Sequence, residues 1–462
     1  MGSRLRLALL VFVLGLLSTA AARAESVPFG DAAGLHVTDV KQLDPRMVEV
    51  TVQTAALPGP AKMRIILPPG YGDQPHKRWP VFYLLHGTSG AASDWTVQGD
   101  AEKTIGDHPM IVVMPDIDLN VDGGGWCTNW PGGEYKWEQF HIDQLVPFID
   151  ANLHSEADRS GRAIAGLSQG GFCSMSYAAR HPDMFGTALA YSGAPDIYAD
   201  KDAHLGAMGV ITATEVGLDQ KAPFSMFGDP VTNGINWAAH DPATLAENLR
   251  QTRMYLYWGN GQQGPFDSAP IGGGTPIELL VWRDNNDFQA RLNSLGIPAY
   301  FNDYGGGTHS WGYWARDLQW SIDKIQWDFD HPVANPAVFT YTSAEDQYGV
   351  YGYRVTTHRT AREFSTLKQD GADRFVLSGS GSATVLTPPR YKPGRTYTLT
   401  LAGDQVERHT TTVVAGDDRR LSIEVALGPA NAYQQETAQA KVAGTAVFAT
   451  DVTITRADGD DD

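Results

Sequence analysis

Unbroken apolar runs alternate with helical stretches along the first two thirds of the chain. Val81-Phe82-Tyr83-Leu84-Leu85, bounded by Pro80 and Gly87, reads as a buried strand. Residues 110–114, closed by Pro115-Asp116, read as another. Further strands are expected at 188–192, 254–258 and 298–302, and a short apolar one starts at Arg162. Helical texture is expected at 140–153, 172–180, 243–250 and 288–295. Strands at 47–54 and 62–67 would pair at the sheet's edge. Runs that are apolar at every position fit a sheet covered on both faces. Their alternation with helices predicts an α/β domain with a mostly parallel sheet.

After residue 337 the texture changes. Tyr397-Thr398-Leu399-Thr400-Leu401, Leu421-Ser422-Ile423-Glu424-Val425 and residues 447–454 alternate with period two, separated by turns such as Lys392-Pro393-Gly394. That pattern predicts an all-β sandwich. All twelve tryptophans precede His331. The expected division is an α/β domain at 25–330, a linker at 331–337, a sandwich-like domain at 338–456 and a disordered acidic tail at 457–462.

The first residues read as a signal peptide, 1–24. Arg4 and Arg6 precede an apolar run, and Ala22-Arg23-Ala24 gives a small-x-small cleavage site. The run is too short to span a membrane comfortably. The expectation is a secreted protein, with possible association with the cell envelope. Removing residues 1–24 takes away three arginines and no acid, which moves the formal net charge from −18 to −21. So acidic a chain excludes a nucleic-acid partner and has no basic stripe for anionic lipid. The two cysteines, Cys127 and Cys173, can form one disulfide in an exported chain.

The candidate chemistry centres on Gly166-Leu167-Ser168-Gln169-Gly170. A Gly-x-Ser-x-Gly turn between a strand and a helix lets the serine project above the sheet at the helix's positive end. A serine hydroxyl needs a histidine to take its proton and a carboxylate to orient that histidine. His309 follows the last expected strand in Gly305-Gly306-Gly307-Thr308-His309, where an α/β sheet builds its sites. Two acids fit the order serine, acid, histidine: Asp267, in the loop after the strand ending at Trp258, and Glu278. The residues alone do not separate them. The oxyanion needs two N–H donors. The backbone of Gln169 and that of Thr88, in His86-Gly87-Thr88-Ser89-Gly90, are the candidates. No zinc-type cluster or phosphate-cradling loop is present, so neither metal nor cofactor is expected.

Three segments, Tyr135-Lys136-Trp137-Glu138, Ala165-Gly166-Leu167-Ser168 and His309-Ser310-Trp311-Gly312-Tyr313-Trp314, resemble the esterase-D-like family. Within it, the resemblance is to the secreted actinobacterial mycolyltransferases, and it covers residues 37–330. It implies an α/β-hydrolase fold and a serine enzyme that hydrolyses esters or moves an acyl group to a sugar hydroxyl. It implies Ser168 as nucleophile, His309 as base and, because the family's acid precedes a phenylalanine-bearing helix, Glu278 rather than Asp267. Trp311 takes the place of a sugar-binding tryptophan. His86 and Ser89 stand where the mycolyltransferases carry an aspartate and an arginine for trehalose, so a trehalose-specific site is not expected.

The leading expectation is a secreted serine esterase or acyltransferase acting on a small-molecule or glycolipid ester through an acyl-serine. Transfer of a mycolyl or other acyl group to cell-envelope sugars is one alternative. A non-catalytic envelope protein is the other, binding polysaccharide through its C-terminal domain.

Overall fold

The computed structural model describes residues 27–119, 124–268 and 274–457. The expected signal peptide and the acidic end, 458–462, lie outside the described residues. The frame is a sheet of β1 (His36–Gln42), β2 (Met47–Gln53), β3 (Ala61–Ile66), β4 (Val81–Leu85), β5 (Ile111–Pro115), β6 (Arg162–Leu167), β7 (Thr187–Tyr191), β8 (Arg253–Trp258) and β9 (Tyr300–Asp303). Across the sheet the order is β1-β2-β3-β5-β4-β6-β7-β8-β9. The first three strands pair antiparallel, as does β3 with β5. From β5 to β9 every pair is parallel. This is the mixed sheet of an α/β-hydrolase fold.

β4, β5, β6 and β7 are buried at every position. Their apolar runs have no wet face because successive side chains enter two different cores. Val81, Tyr83 and Leu85 join one, and Phe82 and Leu84 the other. The helices that cover these faces are α1 (Asp94–Val97), α2 (Ala101–Ile105), α3 (Val146–Asn152), α4 (Gln169–Arg180), α5 (Lys201–Gly217), α6 (Gly234–His240), α7 (Gly274–Leu295) and α8 (Trp311–Asp330). On α8, Trp314, Leu318, Ile322 and Ile325 are buried at helical spacing and pack under the parallel strands.

Several boundaries differ from the sequence expectation. The helix at 140–153 opens as a π-helical segment, Gln139–Leu145, before α3. The helix expected at 243–250 is a turn followed by a 3-10 helix, Ala246–Gln251. Side chains fasten that segment at both ends. The Asp241 carboxylate takes the Thr244 N–H, and the Asn248 amide donates to Ala179 O and Thr342 O. The helix expected from residue 288 starts fourteen residues earlier, at Gly274. Its first turns expose Leu279 and Trp282, so no single apolar stripe marks them in the sequence.

Beyond α8 lie two antiparallel sheets, of six and four strands among the described residues, running from Val338 to Arg456. Their facing sides share one core that includes Leu367, Phe375, Leu377, Val385, Ile423 and Val452. This β-sandwich is tied to the α/β part at the C-terminus of α4. Tyr341 Oη donates to Arg180 O at 2.5 Å, and Arg180 Nη2 donates to Glu345 Oε1 at 3.1 Å.

Candidate active site

β6 delivers Leu167, α4 begins at Gln169, and Ser168 makes the turn between them with φ 53°. That left-handed conformation is strained for a serine, and the neighbours hold it. Ser168 N–H donates to Tyr191 O at 2.9 Å, and Ser168 O accepts from Gly171 and Phe172 N–H at 2.9 and 3.1 Å. The flanking glycines are sterically required. A Cβ on Gly166 would stand 2.3 Å from Gly170 O, and one on Gly170 would stand 2.2 Å from His86 O.

Around Ser168 the structure brings together the histidine and one of the two acids. His309 Nε2 lies 2.8 Å from Ser168 Oγ, and His309 Nδ1 lies 2.6 Å from Glu278 Oε2. Glu278 is on α7, fully buried, and its other oxygen accepts Ser192 Oγ–H at 2.8 Å and Gly259 N–H at 2.7 Å. Those two donors fix the carboxylate, leave Oε2 for the imidazole and keep Nδ1–H pointing at it. The arrangement can move a proton from Ser168 to His309 and stabilise the imidazolium that results.

Asp267 is not in this line. It accepts from Thr308 Oγ1, from Tyr313 Oη at 2.6 Å and from Gly264 N–H at 2.8 Å. Burial pushes its carboxyl up, but these hydrogen bonds outweigh that and hold it below the ordinary aspartate range. Asp267 thus ties the loop after β8 to Thr308, next to the histidine.

Thr88 and Gln169 face each other beside Ser168, linked by Thr88 Oγ1–H to Gln169 Oε1 at 2.7 Å. Gln169 is the first residue of α4, where a helix leaves its N–H groups without intrahelical partners. The loop that carries Thr88 hangs on His86. Its Nδ1–H donates to Gly87 O at 2.7 Å, and its Nε2 accepts Ile117 N–H at 3.0 Å. Burial pushes its pKa down to about 4, which keeps the ring neutral with one donor and one acceptor.

Ser168, His309, Thr88 and Gln169 open on a cavity of about 740 Å³. Trp311 forms part of its wall and stands edge-to-face against Trp95 and Trp314 with centroids 5.3 and 5.4 Å away. Its apolar lining includes Ala207 and Val210 of α5 and Ile277, Leu280 and Val281 of α7. Cys127 and Cys173 are joined, with Cα atoms 5.6 Å apart, so the bridge fastens the loop before Trp130 to α4.

Sequence reasoning missed α5 and gave no role to Ser192 or to Gly259, although the loop that Gly259 opens was expected at the sheet's carboxyl edge. Two signals were available. Ser192-Gly193 directly follows β7 at the sheet's carboxyl edge, and Gly259 directly follows β8. Among the described residues no three His, Cys, Asp or Glu side chains gather as metal ligands, and no helix is long and apolar enough to cross a membrane.

Residues 54–323 match a family profile, Esterase, described as "Putative esterase". An esterase of Mycobacterium tuberculosis is 31% identical over 287 residues, 60% of this chain. The chain spans 59% of that relative's length. The diacylglycerol acyltransferase/mycolyltransferase Ag85B of Mycobacterium avium is 29% identical over 252 residues, 52% of this chain and 72% of that protein. The crystal structure of Mycobacterium tuberculosis MPT51 shares the fold, with TM-score 0.50 and 24% identity over 63% of this chain and 99% of that one.

Proposed function

The chain belongs to the Esterase family, and from that premise we propose that it cleaves carboxylic esters through an acyl-serine. Ser168 is the nucleophile, His309 the base and then the acid, and Glu278 the carboxylate that orients His309. The observation that supports this reading is the unbroken hydrogen-bonded line from Ser168 Oγ to His309 (2.8 Å) and on to Glu278 (2.6 Å).

Ser168 Oγ attacks the ester carbonyl while its proton passes to His309 Nε2. The carbonyl oxygen, now negative, takes the N–H bonds of Thr88 and Gln169. Collapse breaks the bond to the alcohol, which leaves with the proton from His309. The acyl-serine is then attacked by water, or by another hydroxyl, through the same steps in reverse order. Export is part of the reading. The N-terminal pattern supports it, and so does the Cys127–Cys173 bridge, which persists in oxidising compartments.

Acyl transfer to a hydroxyl acceptor is a second reading, and the aromatic face that Trp311 gives the cavity wall favours it. Incubation of the protein with a fluorophosphonate, followed by peptide mapping, tests the site. A single adduct on Ser168, and loss of ester cleavage in Ser168→Ala, are expected. Cleavage undiminished in Ser168→Ala would overturn the assignment. Label appearing in an added sugar faster than free acid appears would decide for transfer.

A further inference from the structure

The apolar lining of the active-site cavity contains one carboxyl that nothing in the fold employs. Asp284 lines it and is 6% exposed. It sits on the α7 face that carries Ile277, Leu280 and Val281, at the i+3 and i+4 spacing that brings them into one wall. No hydrogen bond or ion pair reaches its carboxyl among the described residues. Its sequence neighbour Arg283 is turned away and bound to Asp202 at 2.6 Å, Asp200 at 3.6 Å and Asp287 at 3.8 Å.

Nearby structural carboxylates behave differently. Asp241 takes the N–H groups of Ile197, Ala199 and Thr244, and Asp196 those of Tyr198 and Asp200. With no partner in the fold, the Asp284 carboxyl is left facing the cavity, where whatever occupies that space is its partner. Resting on the esterase reading, we infer that Asp284 is the polar anchor of the acyl pocket and recognises a hydroxyl group carried on the acyl chain, remote from the ester.

The surroundings choose a hydroxyl over a cation, because Ile277, Leu280 and Val281 offer no second polar group to hold a desolvated charge. Burial, and the charges of Asp196, Asp287 and Asp241, push the Asp284 pKa well above the ordinary aspartate range, with Arg283 opposing. A carboxyl accepts from an alcohol O–H and, where it holds its proton, also donates to the alcohol oxygen. The six residues from Glu278 to Asp284 span about 9 Å along the helix, which puts the hydroxyl well down the chain and not beside the reacting carbonyl.

The test is a comparison of kcat/KM for 4-nitrophenyl octanoate and its ω-hydroxy, 3-hydroxy and ω-amino derivatives. The wild type is expected to favour the ω-hydroxy ester over the plain one by about tenfold, the size of one well-placed hydrogen bond. The 3-hydroxy ester gains nothing. Asp284→Leu removes the preference, and Asp284→Asn, which keeps a donor and an acceptor, retains most of it. Equal preference in wild type and Asp284→Leu, no preference in the wild type, or a preference for the ω-amino ester would overturn the inference. Fluorophosphonate labelling of each protein separates the failures. A labelled wild type with no preference sinks the Asp284 assignment alone, whereas an unlabelled, inactive wild type sinks the esterase reading and this inference with it. If Asp284→Leu does not fold, the wild-type series and Asp284→Asn still decide.

Discussion

Glu278 reaches His309 from inside a helix, with Oε2 2.6 Å from Nδ1 and no exposed surface of its own. A carboxylate on a loop shares its loop's motion. This one is carried by the twenty-two-residue α7 and pinned on its other oxygen by Ser192 and Gly259. The imidazole therefore meets an acceptor whose position is set before any substrate arrives, which lowers the reorganisation the reaction requires.

The two acids weighed in the sequence are thereby separable by experiment. Glu278→Gln keeps the shape but presents an amide to Nδ1, and kcat on a 4-nitrophenyl ester should fall by about 10³–10⁴. Asp267→Asn loosens its bonds to Thr308, Tyr313 and Gly264 without touching Glu278 or His309, and kcat should fall by less than about tenfold. Stopped-rate assays on both variants check this. An equal loss in the two would mean that Asp267 does more than hold the loop.

What was legible in the sequence follows physical distinctness. The elbow was readable because steric demand leaves glycine alone at 166 and 170, and the buried strands because both of their faces are apolar. His309 was readable from its place after the last strand. The helix under Glu278 was not, because α7 exposes Leu279 and Trp282 on its outer side while Ile277, Leu280 and Val281 face the cavity, and apolar residues on both sides blur the stripe. α5 was missed for a related reason. Its cavity-facing positions include Gly206 and Ala207, small residues that make room for a ligand and leave little periodic signal. From the residues alone, Asp267 and Glu278 stood level; the family resemblance favoured Glu278, and the structure puts its carboxylate 2.6 Å from His309 Nδ1.

His86 gives the oxyanion loop a measurable acid sensitivity. Its pKa in the fold is about 4, below the ordinary 6.5, so the unfolded chain binds the extra proton first as pH falls. The stability that neutral His86 contributes is fully present above pH 6.5 and is lost as pH falls through 4, at most about 3 kcal/mol. His86→Gln lacks that dependence. The gap in Tm between wild type and variant should be widest above pH 7 and close towards pH 4, measured by calorimetry at four or five pH values. A gap that widens on acidification would show that His86 is charged in the fold.

The Cys127–Cys173 bridge closes a loop of sequence separation 46. Loop-closure entropy gives about 4 kcal/mol for that length. The variant with both cysteines replaced by alanine should melt roughly 5 °C lower. Ser168 should still react with a fluorophosphonate at low temperature, since backbone bonds to Tyr191, Gly171 and Phe172 hold the elbow without help from the bridge. Loss of labelling in a folded variant would make the bridge part of the site and not only of its support.

Hydrogen bonds such as Asn248–Thr342, Tyr198–Glu436 and Tyr351–Asp183 join the sandwich to the α/β part, and Arg180 adds a charged link from the nucleophile helix. It donates to both oxygens of Glu138 at 2.7 and 2.9 Å, and to Glu345 of the sandwich at 3.1 Å. Burial alone would push Glu138 up. Arg180, His181 and His240 hold it well below the ordinary glutamate range, so a charged carboxylate is kept inside by its partners. Arg180→Met strands that charge and should cost about 3–5 kcal/mol. Glu345 is one-third exposed and also paired with Arg362 at 2.8 Å, so Glu345→Ala should cost about 1 kcal/mol and act mainly by loosening the sandwich. Faster proteolytic cutting within 331–337 would report that loosening. Because Glu345 acts partly through Arg180, the double variant should be less destabilised than the two single effects added together. Strict additivity, measured by denaturant unfolding, would mean that the ion pair across the junction does not couple the two parts.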